Sequence, residues 1–211
     1  MITLHHLNES RSQRILWLLE ELQVPYRVQL YQRNPQTRLA PPELKAVHPL
    51  GKSPVITDGE RVVAESGAIV DYLIRHHGKG RLRPDPASPD FEDYSYWIHY
   101  SEGSGMFPLL LKGQVAKLGP SGEPLQPRIA SEIANHLGYL EASLKGRDYL
   151  VGAAFSGADV QMSFVGELAA VRTDCTPYPN MLAWVRRLQA RPAYQTALKH
   201  GGPYPYVLKN A

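Results

Sequence analysis

The residues best suited to chemistry fall in two short stretches, Leu50-Gly51-Lys52-Ser53-Pro54-Val55 and, ten residues on, Glu65-Ser66-Gly67-Ala68-Ile69. A residue before proline is pushed toward extended geometry, and an X-Pro bond turns cis at modest cost, so Ser53-Pro54 can present a backbone edge outward. Such an edge pairs with another peptide. Ser66 opens an apolar helical pattern through Ala68, Ile69, Val70, Tyr72, Leu73 and Ile74. Its hydroxyl and the first free backbone N–H groups of that helix suit a carboxylate. Lys52 adds a point charge for another. Together the two stretches fit a small, acidic, extended peptide.

A third polar stretch, Asn8 to Arg14, precedes a second apolar helical face. Within it Ser10-Arg11-Ser12-Gln13 reads as an S-x-x-Q capping box, whose serine oxygen accepts a backbone N–H. Such a hydroxyl can still donate a bond elsewhere. His5, His6, His76 and His77 occur as adjacent pairs rather than at i, i+4, so no metal site is expected. The single cysteine, Cys175, excludes an intramolecular disulfide and any Cys-x-x-Cys arrangement, and is expected to pack.

The elements that must hold these residues follow from periodicity. Residues 2 to 7 read as a strand, 11 to 22 as a helix with apolar positions 15, 16, 18, 19 and 22, and 26 to 31 as a second strand, a βαβ unit with a parallel pair. A short helix over 42 to 46, strands over 54 to 57 and 61 to 64 around Asp58-Gly59, and a helix over 66 to 77 complete a βαβ-α-ββα order on a mixed four-stranded sheet. After the proline knot from Arg83 to Pro89 only helical patterns remain, around 90 to 116, 125 to 145, 157 to 171, 178 to 190 and 192 to 199. The expected organisation is a sheet domain over 1–78, a linker over 79–89 and an all-helical domain over 90–211. Ser156 to Asp159 reads as a structural S-x-x-D helix start.

At 211 residues, 43% of them hydrophobic, the chain can bury a sizeable core. Its net charge is only +3, shared evenly between the two parts, which argues against a nucleic-acid partner. No apolar run approaches membrane-spanning length, and the first residues lack the basic and apolar regions of a leader, so a soluble cytoplasmic protein with no membrane partner is expected.

The chain resembles the glutathione transferases, which join a thioredoxin-like N-terminal domain to a helical C-terminal domain. The likeness rests on Asn8 to Arg14 leading into the first helix, on Leu50 to Val55, on Glu65 to Ile69, on the Ser156 to Asp159 cap, and on Pro179 to Pro192 with Trp184 and Arg191. By resemblance, Ser53 pairs its backbone with the cysteinyl part of glutathione across a cis Pro54. Glu65 and Ser66 hold the γ-glutamyl end and Lys52 faces the glycine carboxylate. His48 either lines that glycine end or is a turn residue beside Pro49.

The resemblance also implies the chemistry. In members that use serine the hydroxyl lies four residues before an arginine, which selects Ser10 before Arg14 as the thiolate donor. Asn8 is the second choice, followed by Ser12 or Arg11. The first strand ends without tyrosine and no cysteine lies near position 10, which favours plain thiolate attack over mixed-disulfide chemistry. Trp97, Tyr100, Met106 and Phe107 are the expected wall of an apolar electrophile pocket, with Tyr204 and Tyr206 joining it if the tail folds back. The implied activity is conjugation of glutathione, the co-substrate, to small apolar electrophiles, with organic peroxide reduction beside it and a homodimer as the assembly. The competing reading is a non-catalytic protein of the same fold that binds glutathione or apolar ligands. An isomerase ranks lower, since its paired-serine opening does not match Asn8-Glu9-Ser10-Arg11.

Overall fold

The first strand, β1 (Ile2–Leu7), is followed by helix α1 (Ser12–Leu22) and strand β2 (Tyr26–Tyr31) in a computed structural model that describes residues 1–208. β1 and β2 run parallel, from Ile2 opposite Tyr26 to Leu7 opposite Tyr31. A short helix α2 (Leu44–Val47) leads to the hairpin of β3 (Val55–Asp58) and β4 (Arg61–Ala64), and β3 is antiparallel to both β1 and β4. The sheet order is β2-β1-β3-β4, closed by helix α3 (Ser66–His77). This is the expected mixed sheet and βαβ-α-ββα order, with α2 and β3 shifted by one or two residues.

Among the described residues no strand follows Ala64. The helices are α4 (Asp90–Tyr100), α5 (Phe107–Val115), α6 (Gln126–Ser143), α7 (Gly157–Arg172), α8 (Pro179–Gln189) and α9 (Pro192–Gly201). The last three residues of the expected 90–211 domain lie outside the described part. The single helix expected over 90 to 116 is two, joined by a π turn at Ser101–Gly105. A Cβ on Gly105 would approach the Tyr100 ring to 3.0 Å, so this wide turn is tightly packed where it passes α4. The stretch Ala116–Leu125 forms 3₁₀ turns about Gly119, at φ 55°, with Pro120 and Pro124 denying the N–H groups a regular helix needs.

Helix α1 explains how the two parts combine. Its run Ile15–Leu19 is apolar on every face, and a helix of that kind must be covered all round. It packs on β1 and α3 on one side and on α7 and α9 on the other. Trp17 sits 5.3 Å from the Phe155 ring and 5.2 Å from Tyr194. Arg191, at the start of α9, reinforces the junction with two bonds to the Glu21 carboxylate, at 2.6 and 3.0 Å. The Ser156 cap is a full reciprocal box: Ala158 N–H donates to Ser156 Oγ (3.2 Å) and Ser156 N–H to Asp159 Oδ2 (3.0 Å). Trp184 Nε1 donates to the other Asp159 oxygen at 2.9 Å. Cys175 is buried, which pushes its thiol up to about 11.

Candidate active site

The two stretches expected to hold a peptide converge on one groove. Lys52, Ser53, Pro54, Glu65 and Ser66 line a cavity of about 220 Å³, with His48 at its edge and Arg11 and Glu102 completing it. The Ser53–Pro54 bond is cis. The Ser53 hydroxyl turns to the end of β1, donating to His5 O at 2.8 Å and accepting from Leu7 N–H at 3.3 Å, so what Ser53 offers the groove is its backbone. Lys52 is exposed and forms no ion pair among the described residues.

Ser66 differs in one respect from a simple cap. The cap position of α3 is Glu65, at φ 68°, and no side chain caps the helix. A non-glycine residue in that region is strained by roughly 1 to 3 kcal/mol, a cost concentrated at working sites. Ser66 is the first helical residue and is buried. Its oxygen accepts from Arg14 Nη2 at 2.5 Å and from Gln161 Nε2 at 3.2 Å. With both acceptor positions filled from inside, the hydroxyl proton is left to face the groove as a donor, beside the free N–H groups at the start of α3.

In the sequence Arg14 serves only as the marker that selects Ser10, and Gln161 and Glu102 are assigned no role. Arg14 is 2% exposed, donates to Gln161 O, Ser66 and Glu102, and ties three elements at one point. Burial would raise the Glu102 carboxyl, but Arg14 and Arg11 outweigh it and hold the group below the usual carboxylate range. Glu102 lies on the π turn. The polar, glycine-rich Ser101-Glu102-Gly103-Ser104-Gly105 was the available signal, because such turns within apolar helices often mark working sites.

The thiolate-donor candidates are arranged differently from the capping-box reading. Ser10 does not cap α1: its Oγ donates to Leu7 O (2.8 Å), lies 2.8 Å from Ser12 Oγ and accepts from Ser12 N–H (3.2 Å). Ser12 is fully buried, its Oγ close to His6 Nδ1 (3.0 Å) and Leu7 O (3.1 Å). Both hydroxyl protons therefore have acceptors inside the chain. Ser10 borders a neighbouring cavity rather than the groove, and Ser12 borders neither. Asn8 Oδ1 accepts from Arg33 N–H at 2.8 Å and the residue lines neither cavity. Arg11 alone of the four lines both. Its Nε binds Glu102 at 2.8 and 2.9 Å, while its terminal Nη atoms have no partner among the described residues.

The four residues of the expected electrophile wall do not come together beside α1. Trp97 and Tyr100 lie on the face of α4 turned toward α6, with Trp97 stacked on Tyr139 and Tyr100 tilted against it, and Tyr100 Oη lies 2.6 Å from His136 Nδ1. Met106 is fully buried and Phe107 is 62% exposed. None of the four lines either cavity beside α1. The apolar surface beside Arg11 comes instead from Leu110, Phe164, Leu168 and Tyr206. The tail does fold back, bringing Tyr206 to that cavity, while Tyr204 donates to the buried Glu167 at 2.6 Å. Among the described residues no cluster of three His, Cys, Asp or Glu side chains could hold a metal, and no helix is long and apolar enough to cross a membrane.

Comparison with known proteins agrees with this architecture over most of the chain. Residues 10–76 match the family described as Glutathione S-transferase, N-terminal domain, and residues 105–192 its C-terminal domain. The curated Glutathione S-transferase 3 of Schizosaccharomyces pombe is 34% identical, with 93% of this chain and 86% of that protein covered. A crystal structure of a glutathione S-transferase from Actinobacillus pleuropneumoniae superposes with a TM-score of 0.88 at 35% identity, covering 95% of this chain and 93% of the other. A sphingomonad glutathione S-transferase complexed with glutathione shares the fold at 24% identity and a TM-score of 0.75, covering 94% of this chain and 98% of that one.

Proposed function

The chain belongs to the glutathione S-transferase family, and on that premise we propose that it binds glutathione between the Ser53-Pro54 edge and the start of α3 and conjugates it through its sulfur to small electrophiles. The observation that carries the reading is the pair of bonds from Arg14 and Gln161 that Ser66 Oγ accepts at the start of α3, which leaves its proton to the groove. The γ-glutamyl carboxylate accepts from that hydroxyl and the α3 amides, and its ammonium group lies against Glu65 and Glu102. The cysteinyl backbone pairs with Ser53, and the glycine carboxylate meets Lys52, with His48 beside it.

A free thiol titrates near ~8.5, so lowering it by about two units takes ~2.7 kcal/mol of preferential thiolate stabilisation. A charge-assisted hydrogen bond supplies roughly 1.5 to 3 kcal/mol, and the N-terminus of α1 adds several tenths. We assign the bond to the free Nη atoms of Arg11, with Ser10 a second donor if its proton turns from Leu7 O toward the sulfur. The thiol proton leaves to solvent. The thiolate then forms a C–S bond at the electrophilic carbon while the leaving group departs with its bonding pair. Toward an organic hydroperoxide the same thiolate attacks oxygen, releasing the alcohol, and a second glutathione converts the sulfenic acid to disulfide and water.

Homodimer formation and a cytoplasmic setting belong to the same proposal. A cleft of about 610 Å³ lies between α3 and α4, lined by Ala68, Asp71, Phe91 and His99, and joins both domains on one face for a second copy. A reducing compartment suits a thiol co-substrate and a single buried cysteine. Sedimentation velocity tests the dimer. The function is tested by the thiolate absorbance of bound glutathione against pH, beside turnover of a chloronitroarene and of cumene hydroperoxide. A depressed thiol pKa with turnover is the expected result; tight binding with an ordinary pKa and no turnover would leave a binding protein.

A further inference from the structure

The cavity on the far side of Arg11 from the glutathione groove has a volume of about 210 Å³ and an unusual charge. Its floor is apolar, from Leu110, Phe164, Leu168 and Tyr206, yet four guanidinium groups and a single carboxylate share its lining. Two of the cations are matched: Arg38 pairs with Glu9, and Arg11 with Glu102. The other two, Arg33 and Arg172, form no ion pair among the described residues.

Arg33 is held by neutral acceptors. It donates to the backbone oxygens of Asn8 (3.1 Å), Arg38 (3.1 Å) and Glu9 (3.4 Å), so its position is fixed while its charge stays uncompensated. Arg172 touches the Tyr206 hydroxyl at 3.4 Å and lies 5.9 Å from the centre of that ring. Like charges gathered around one small concave site sum to a positive potential there, a pull that salt screens because Arg172 is exposed. Guanidinium groups are also the side chains best shaped to grip a carboxylate through two bonds. The volume is below the ~300 to 1,000 Å³ typical of drug-sized sites, which suits a small occupant.

We infer that the acceptor substrate is a small anion: an electrophile whose apolar body rests on Phe164 and Leu110 and whose carboxylate is held by Arg33 and Arg172. This rests on the transferase reading and narrows the small apolar electrophile expected from the sequence to one that also carries a carboxylate. Arg11, with its guanidinium carbon 5.3 Å from the centre of the Phe164 ring, borders both cavities, so a thiolate held at its Nη atoms faces an acceptor resting on that ring. The step is a displacement in which the C–S bond forms, the carbon–halogen bond breaks with its electron pair leaving as halide, and the carboxylate is untouched.

The test pairs a chloronitrobenzoate with the neutral chloronitrobenzamide of the same ring pattern. It adds calorimetric titration of the two analogues lacking chlorine, which needs no turnover. The expected result is at least a tenfold preference for the benzoate in both kcat/KM and affinity, falling toward unity as sodium chloride is raised. Arg172→Gln is expected to remove most of that preference; its side chain has few contacts, and Arg33→Gln provides a second variant. Equal handling of benzoate and benzamide with good turnover of both would overturn the anion inference and leave the transferase reading intact. A benzoate preference in binding with no turnover of either compound would leave the anion site standing and remove the transferase reading.

Discussion

Arg14 and Ser66, 52 residues apart, are joined by a buried hydrogen bond that sets the direction of the Ser66 proton. The guanidinium does not contact the groove; it works by occupying the serine's acceptor side, as Gln161 does from α7. A hydroxyl free to rotate would present the groove with donor or acceptor equally. Here it is committed to donate, which is what an anionic ligand requires.

Ser66→Ala is accordingly expected to weaken glutathione binding by about 1 to 3 kcal/mol while changing kcat little, since the lost bond is made in ground and transition state alike. Calorimetric titration and steady-state kinetics check the split. Arg14→Met is expected to cost about 3 kcal/mol of folding stability, because Glu102 and Ser66 lose a buried partner; urea unfolding measures it.

Arg11→Met is expected to raise the pKa of bound glutathione by about one to two units and to lower turnover at neutral pH by roughly ten- to a hundredfold. Ser10→Ala is expected to have the smaller effect on that pKa, because the Ser10 proton already has an acceptor in Leu7 O. Thiolate absorbance against pH ranks the two variants. The opposite ranking would return the main role to Ser10.

His6 provides a pH dependence of stability. Burial lowers its imidazole to about 4, with a backbone hydrogen bond at Gly201 only partly offsetting this. The unfolded chain binds that proton near ~6.5, so between the two values the unfolded state carries more protons and stability falls as pH falls. From about pH 7.5 to about pH 5 the expected loss is about 2 kcal/mol, with none above pH 7.5 from this group. Urea midpoints across that range measure it, and His6→Gln should flatten the slope.

On α7, a Cβ at Gly166 would lie 2.7 Å from Val185 Cγ2 and 2.9 Å from Trp184 Cζ3. Gly166→Ala gains about 1 kcal/mol of helix propensity, but overpacking costs about 1 to 3 kcal/mol. A net destabilisation is expected, seen as a lower thermal midpoint.

Local signals in the sequence were reliable where one segment decides its own structure. The strands over residues 2 to 7 and 26 to 31, the Asp58-Gly59 hairpin and the Ser156 to Asp159 box each depend on neighbours a few residues away, and each is present. The Ser10 to Gln13 box had the same local pattern and lost to a tertiary competitor, the Leu7 carbonyl at the end of β1. Trp97 and Tyr100 share a face of α4 that meets Tyr139 of α6, and aromatic spacing shows which residues share a face but not which neighbour that face meets. Glu102 and the Arg14–Ser66 bond escaped altogether, because no periodicity encodes a contact between chain segments that meet only after folding.

Helix α1 is surfaced by neither part alone: it is at once the crossover of the sheet and the inner wall of the helical bundle. An excised fragment ending near Gly78 would therefore expose Leu16 and Trp17 to water and recruit whatever apolar surface it met. Family names divide the protein at a boundary, but inheritance has to treat it as one unit, and shuffling either half with a foreign partner succeeds only where the substitute reproduces the face that receives this helix.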